Sequence, residues 1–334
     1  MVDQINKNML RKRADKLPEV TDEMWQNVFE EHRNLTEEFL EVNTHLSLQS
    51  KKQYTSGLRQ FFYFVHITLK DKPMWEISKR DFLRYLSFLD NHKMSSSGKS
   101  FKKACVSSLC NYIENVVLDD EPKYSNFRNF TKGLPAIPKN QVYDKVKITR
   151  DEYEFMLNEL RKQGNFLGMA WLAVAWLVGA RRSEILQFKS EIINYDIPEG
   201  QNYVLSNIVR GKGSSEDGKP LKFMINLEAL KYIKLWLKNR GYEHEYIFTI
   251  KYNGNIKQIS ETWADDFCAK TLSNILGRRV NPHIFKSSCI SELLEQGVDI
   301  ALVSKYVAHH NDISTTSKFY DLRDFEEEKN KIFS

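Results

Sequence analysis

The chain has 334 residues, 41% apolar and 28% charged, with a net charge of +5; that length exceeds one ordinary core and predicts two domains of a water-soluble protein. No uninterrupted apolar stretch is long enough to span a bilayer and the opening MVDQINKNMLRKRADK has no apolar signal core, which argues against a membrane partner and puts the expected site of action in the cytoplasm. Cys105, Cys110, Cys268 and Cys289 form no CxxC pair, so reduced packing thiols are expected rather than disulfides or a metal site.

Charge is unevenly distributed. Residues 1–50 hold 6 Lys plus Arg against 10 Asp plus Glu, whereas 51–140 hold 16 against 8. A locally basic region is the footprint of a surface that follows a phosphate backbone, although a solvated charged face has the same composition. Within it, apolar residues recur at helical spacing: Tyr54, Leu58, Phe61, Phe62 and Val65; Phe82, Tyr85, Leu86 and Leu89; Val106, Leu109, Tyr112 and Ile113. The pattern predicts a small helical bundle, with Asp81 and Ser95 to Ser97 as capping oxygens. Two of its helix starts carry cations, Lys51 and Lys52 leading to Arg59, and Ser96, Ser97, Lys99, Lys102 and Lys103. Ser hydroxyls, free amides and lysines suit phosphate contact, and they equally suit ordinary capping beside solvated lysines.

Gly133, Pro135 and Pro138 interrupt helix and predict an interdomain linker over 132–148. Thr149 followed by Asp151 and Glu152 then reads as an N-cap with an acidic first turn, and a mostly apolar helix is expected over 167–178. Gly179 relieves a tight turn before Arg181, and Ser183 and Glu184 open another helix. Tyr203, Leu205 and Ile208, then 221–225, read as strands around a turn at Lys212, which stands between two glycines; helices are expected to resume over 227–240 and to dominate from there to the end. The expected organisation is an N-terminal helical extension (1–34), a helical DNA-binding domain (35–131), the linker, a mixed domain (149–320) and a C-terminal tail (321–334).

Three stretches occur in fixed order: Gly179-Ala-Arg-Arg-Ser-Glu184, His283-Ile-Phe-Lys286, and His309-His-Asn-Asp-Ile-Ser-Thr-Thr-Ser-Lys-Phe-Tyr320. With Lys212 they supply the cations, imidazoles and phenol that would hold and open a phosphodiester. In these motifs, over roughly 35–334, the chain resembles the tyrosine recombinase, or phage integrase, family. The resemblance implies a mainly helical, two-domain DNA clamp with a small β-sheet, acting on double-stranded DNA without metal or nucleotide cofactor. It carries the family's first arginine onto Arg181, supported by Glu184, its hairpin lysine onto Lys212, and its His-x-x-Arg onto His283 and Lys286. His309 and His310 compete for the next imidazole position, and Tyr320 is the candidate nucleophile. Arg278 and Arg279 are further phosphate candidates beside a solvated alternative.

Two departures bear on activity. Lys286 offers a point charge where arginine offers a planar fork. Ungapped alignment on Ser314-Thr315-Thr316 pairs His310 with Phe319 at the nucleophile position, which turns Tyr320 away by about 100° on a helix. The expectation is therefore a degenerate catalytic site in a DNA-binding protein similar to the recombinase-fold repressors that hold SPβ-type Bacillus prophages in lysogeny, acting at the nucleoid of a bacterial host. An active integrase is the alternative. The tail implies self-association, folding back in cis, or contact with a phage regulatory protein or peptide.

Overall fold

The computed structural model describes residues 17, 19–44, 46–138, 146–212 and 218–323. Most of the tail, part of the linker and Gly213 therefore lie outside the described residues. Backbone contacts divide the chain between Asp144 and Lys145 into two compact units.

The first unit is all helical: α1 (Asp22–Gln26), α2 (Glu30–Val42), α3 (Leu48–Leu69), α4 (Lys79–Asn91) and α5 (Ser96–Tyr112). Trp25 and Phe39 share a core with the apolar stripes of α3, α4 and α5, including Phe61, Phe62, Phe82, Tyr85 and Leu109. Removing each such side chain from water contributes about 1.5–3 kcal/mol. Ser47 and Ser95 start α3 and α5, their hydroxyls accepting from the amides of Ser50 and Gly98 at 3.1 and 3.2 Å. Asp81 supplies a capping oxygen at the start of α4, as expected, from inside the first turn. Ser78 is the N-cap, and Asp81 in the first turn accepts from the Ser78 amide at 3.0 Å while its own amide donates to Ser78 Oγ at 3.3 Å.

The second unit opens with α6 (Arg150–Lys162), where Thr149 and Glu152 form the reciprocal cap expected from their spacing. Helix α7 (Phe166–Leu177) is buried around almost its whole circumference, which is why its sequence is apolar on every face. A four-residue helix α8 (Arg182–Ile185) follows. Four short strands, β1 (Tyr203–Leu205), β2 (Val209–Gly211), β3 (Lys219–Leu221) and β4 (Met224–Asn226), pair antiparallel as β1 with β4 and β2 with β3. The expected strand through Ile208 is broken at Asn207, whose side chain accepts from the Lys189 amide and donates to the Gln187 and Ile208 carbonyls. Helix α9 (Leu227–Asn239) packs on α7.

Helices dominate the remainder, as expected, with one interruption. A hairpin of β5 (Thr249–Tyr252) and β6 (Asn255–Gln258) intervenes, turning through Asn253 and Gly254 at φ 49° and 78°. Then come α10 (Glu261–Asp266), running through a π-helical turn into α11 (Ser273–Leu276), α12 (Pro282–Glu295), α13 (Ile300–Leu302) and α14 (Ile313–Phe319). Trp171, Phe188, Phe223, Phe248 and Phe285 centre this unit's core. All four cysteines are buried free thiols, as their sequence contexts predict.

Candidate nucleic-acid site

Arg181 stands just before α8, after the turn at Gly179, where φ is +67° and an added Cβ would lie 3.0 Å from Cys289 Sγ. Glycine is required there, and it sets α8 against α12. The Glu184 carboxylate is 1% exposed and accepts from the Arg181 amide at 2.6 Å and from Arg181 Nη1 at 2.8 Å. The guanidinium is held by one edge and remains about a quarter exposed, at 24%. Arg182 faces α10 instead, bonding Glu261 at 2.8 Å and Asp265.

Helix α12 brings two site residues to this point. His283 lies in its first turn, where its amide donates to the Asn281 cap at 3.1 Å, and its ring stays accessible. Partial burial, followed by the charges of Arg182 and Arg181, lowers the His283 pKa and favours the neutral ring. Lys286, one turn later, is 2% exposed, and its Nζ has no hydrogen-bond partner among the described residues. Burial, and then the neighbouring Arg181 charge, lowers its pKa from 10.5 to about 8, against the opposing pull of Glu184. At neutral pH the amine still carries its proton.

The third group follows α13, which continues through a π-helical turn over Val303–Ala308. His309 closes that turn at φ 54°, with the His310 amide donating back to the Ser304 carbonyl at 3.0 Å. Its ring meets Phe223 edge-on, the centroids 4.6 Å apart. His310 Nδ1 lies 2.8 Å from Thr316 Oγ1, which in turn donates to Ser304 Oγ at 2.9 Å. Thr316 therefore accepts from His310, so the proton sits on Nδ1 and Nε2 is left as the acceptor. Both histidines have a buried Nε2 without a partner among the described residues. Burial, and then Lys286, lowers both pKa values to about 4.

Lys212 is exposed directly after β2. Gly211 cannot be replaced without displacing Leu221, whose Cδ1 would lie 2.4 Å from an added Cβ. The neighbouring strand contributes a cation that sequence reasoning missed. Lys219, opposite Gly211 on β3, donates to Asn311 Oδ1 at 2.8 Å, and its charge helps to keep His309 and His310 neutral. The alternating Lys219, Leu221 and Phe223 pattern could have placed it on the same strand.

The two aromatic candidates are placed differently from the helical extrapolation. Helix α14 ends at Phe319, and Tyr320 leaves it at φ −122°, ψ −16°. Rotation by a helical step therefore does not apply between them. The Tyr320 ring lies 4.7 Å from that of His310 and packs on the small cluster of Ile290, Leu294, Val303 and Ala308, while its carbonyl accepts from Ser291 Oγ at 2.8 Å. Phe319 is 58% exposed, with the Lys318 ammonium over its ring.

Arg278 is not a free phosphate contact. Its guanidinium grips Glu152 at 3.0 and 2.6 Å and the Lys147 carbonyl at 3.1 Å, joining the start of α6 to the segment before α12. Arg279, beside it, is half-buried.

In the first unit, the starts of α3 and α5 converge on an open groove of about 560 Å³ lined by Lys52, Gln53, Ser56, Ser95, Ser97 and Lys102. Lys52 is exposed, Lys51 and Lys103 are half-buried, and Lys102 Nζ reaches the Ser56 carbonyl at 3.4 Å. Three other candidates are less available. Lys99 pairs with Asp90; Arg59 pairs with Asp22 at 2.7 Å and lies over Trp25; Ser96 is buried.

Among the described residues no cluster of His, Cys, Asp or Glu could hold a metal, and no helix is long and apolar enough to cross a membrane. The fold is that of the tyrosine recombinases. Residues 147–326 match the Phage integrase family, and the chain belongs to it. It is 61% identical, over the full length of both chains, to the SPbeta prophage-derived recombinase-like protein YomM of Bacillus subtilis strain 168. It is also 25% identical to tyrosine recombinase XerA of Pyrococcus horikoshii, across 83% of this chain and 86% of that one. Among solved structures, the Tn1549 transposon integrase in complex with circular intermediate DNA shares the fold at TM-score 0.65 and 15% identity, covering 91% of this chain and 99% of that one.

Proposed function

We propose that the chain binds duplex DNA in a sequence-specific manner and acts as a prophage transcription repressor on a recombinase scaffold whose cutting chemistry is degenerate. One observation carries the DNA reading: a buried Lys286 ammonium without an acceptor, beside a guanidinium already committed along one edge to Glu184. A buried ammonium beside a second, partly exposed cation is costly unless an anion joins them, and a backbone phosphate supplies that charge. Arg181, Lys286 and Lys212 hold the phosphate oxygens in this reading, while the neutral, accessible His283 offers a hydrogen bond. Lys52, Lys102 and the helix starts of the first unit contact further phosphates.

The repressor reading rests on the loss of the second arginine fork, on a tyrosine ring packed against an apolar cluster, and on the prophage origin of the relative YomM. Losing one preorganised donor costs about 2.7–4 kcal/mol of transition-state stabilisation. Self-association through the tail and contact with a phage regulator belong to the same proposal. The test is binding of the full chain to duplexes tiled across its own prophage, followed by reporter repression from the bound promoters. Binding without repression would retain the DNA reading and remove the repressor.

A second reading, an active recombinase, is favoured by the Tyr320 ring lying against His310. In that chemistry the phenolate attacks phosphorus, a 3′-phosphotyrosine bond forms, and the 5′ oxygen leaves with a proton from the site. A nicked suicide substrate distinguishes the two. A covalent adduct that Tyr320→Phe abolishes establishes the enzyme, whereas its absence on a verified binding site supports the repressor.

A further inference from the structure

Lys286 differs from every other lysine of the site in being closed off from water. Its Nζ is buried with no acceptor among the described residues, and the two nearby imidazole Nε2 atoms of His309 and His310 are likewise buried and unpartnered. The ionisable groups facing it are few. From the α8 side come Arg181, which opposes its charge, and Glu184, which favours it; from the loop after α13 come His309 and His310, both neutral at neutral pH. On α12 itself Cys289 has a thiol pushed up to about 12, so it carries no charge. Helix α7, packed on α12, has no ionisable residue between Phe166 and Leu177. In the π-helical turn, Lys305 and Tyr306 are exposed and pair with each other as cation and ring.

We propose that Lys286 makes this site's hold on DNA a function of pH in the weakly alkaline range: the phosphate is gripped while the buried amine keeps its proton and released as the proton is lost. The inference rests on the phosphate reading above. An arginine at the same place stays charged throughout that range, so the substitution that weakens the fork also makes the grip adjustable. Lys286 is protonated below its free-state pKa of about 8, and a bound phosphate raises that pKa further. Affinity is therefore level on the acid side of the free value. Above it, affinity falls by up to a decade per pH unit, until the pKa of the complex is reached. The site histidines remain neutral across this window, so Lys286 is the group of this site that titrates there; burial also lowers the Lys102 pKa in the first unit, and Lys286→Arg, which keeps Lys102, separates the two contributions.

The experiment is a pair of filter-binding titrations of the full chain on a duplex of arbitrary sequence at low salt, at about pH 7 and about pH 9, repeated with Lys286→Arg. The wild-type chain is expected to lose about tenfold in affinity between the two, and Lys286→Arg less than twofold. Equal losses in both proteins, or a level wild type, overturn the proposal. A second measurement on the free chain is independent of DNA. In spectra of lysine labelled at Cε, one signal missing from Lys286→Arg is expected to titrate near pH 8. If every lysine signal titrates above about pH 10, the proposal fails and the phosphate reading stands. If Lys286 titrates as expected but affinity does not change with pH, the proposal fails because the phosphate is not seated on Lys286. Failure to bind any duplex at about pH 7 overturns the DNA reading itself.

Discussion

The two units present positive charge in opposite ways. In the first, the groove between the starts of α3 and α5 is open and displays an exposed Lys52 and a half-buried Lys102, while Lys99, outside its lining, is tied to Asp90. A deeply placed charge in that unit, Asp81, is answered by Lys72 Nζ at 2.8 Å and by the Ser78 amide and hydroxyl. In the second, Lys286 is withdrawn from water beside a partly exposed Arg181 and the neutral rings of His309 and His310, and among the described residues Glu184 is the carboxylate that opposes the two charges. The first surface resembles an electrostatic track whose charges cost nothing to display. The second is left incomplete by the protein itself, and that is the mark of a site built around an anion.

The contrast is broken most directly at Arg181. Arg181→Ala leaves the Glu184 carboxylate buried with only a backbone partner, and a stability loss of about 3 kcal/mol is expected in urea unfolding, together with loss of DNA binding. A loss under about 0.5 kcal/mol would make the pair a surface feature like Lys99–Asp90.

The satisfied charge of the first unit should show itself in acid. Burial alone would raise the Asp81 pKa; Lys72 and Ser78 outweigh that and bring it from 3.8 down to about 2. A depressed carboxylate stabilises the fold above its unfolded value, and the contribution is lost as pH falls from about 4 to about 2. It amounts to about 2 kcal/mol. Asp81→Asn should flatten that part of the stability profile, and an unchanged acid limb would contradict the assignment.

The groove lysines should act through salt alone. Lys52→Ala and Lys102→Ala are each expected to reduce the slope of log affinity against log salt by about one, with stability unchanged. A changed preference among duplex sequences would show instead that these residues read bases. Smallest of all, Tyr320→Phe is expected to leave affinity within about twofold and unfolding within about 0.5 kcal/mol. A larger loss would give the hydroxyl a place in DNA binding.

Much of this contrast was legible in the chain. Thr149 with Glu152, Ser95, and Gly179 before Arg181 announce local geometry through short-range chemistry, and each is found where its spacing puts it. The Asn253-Gly254 turn was equally plain and should have flagged the β5–β6 hairpin; its strands are only four residues long and β6 is exposed throughout, which leaves little periodicity to read. Arg278 was illegible for a different reason, since its partner Glu152 lies 126 residues away and carries no local signal. The Phe319 and Tyr320 placement failed as an extrapolation because helical rotation stops where the helix stops. The burial of Lys286 follows from tertiary packing of α12 and could not be read from His-Ile-Phe-Lys alone.

The central claim, that an incomplete cationic site is completed by duplex DNA, is tested most directly by the affinity of the full chain for duplexes from its own prophage, measured over increasing salt. The account predicts tight binding to a small set of sequences that weakens steeply as salt rises. Affinity no greater than background for every duplex at about 50 mM salt would contradict it.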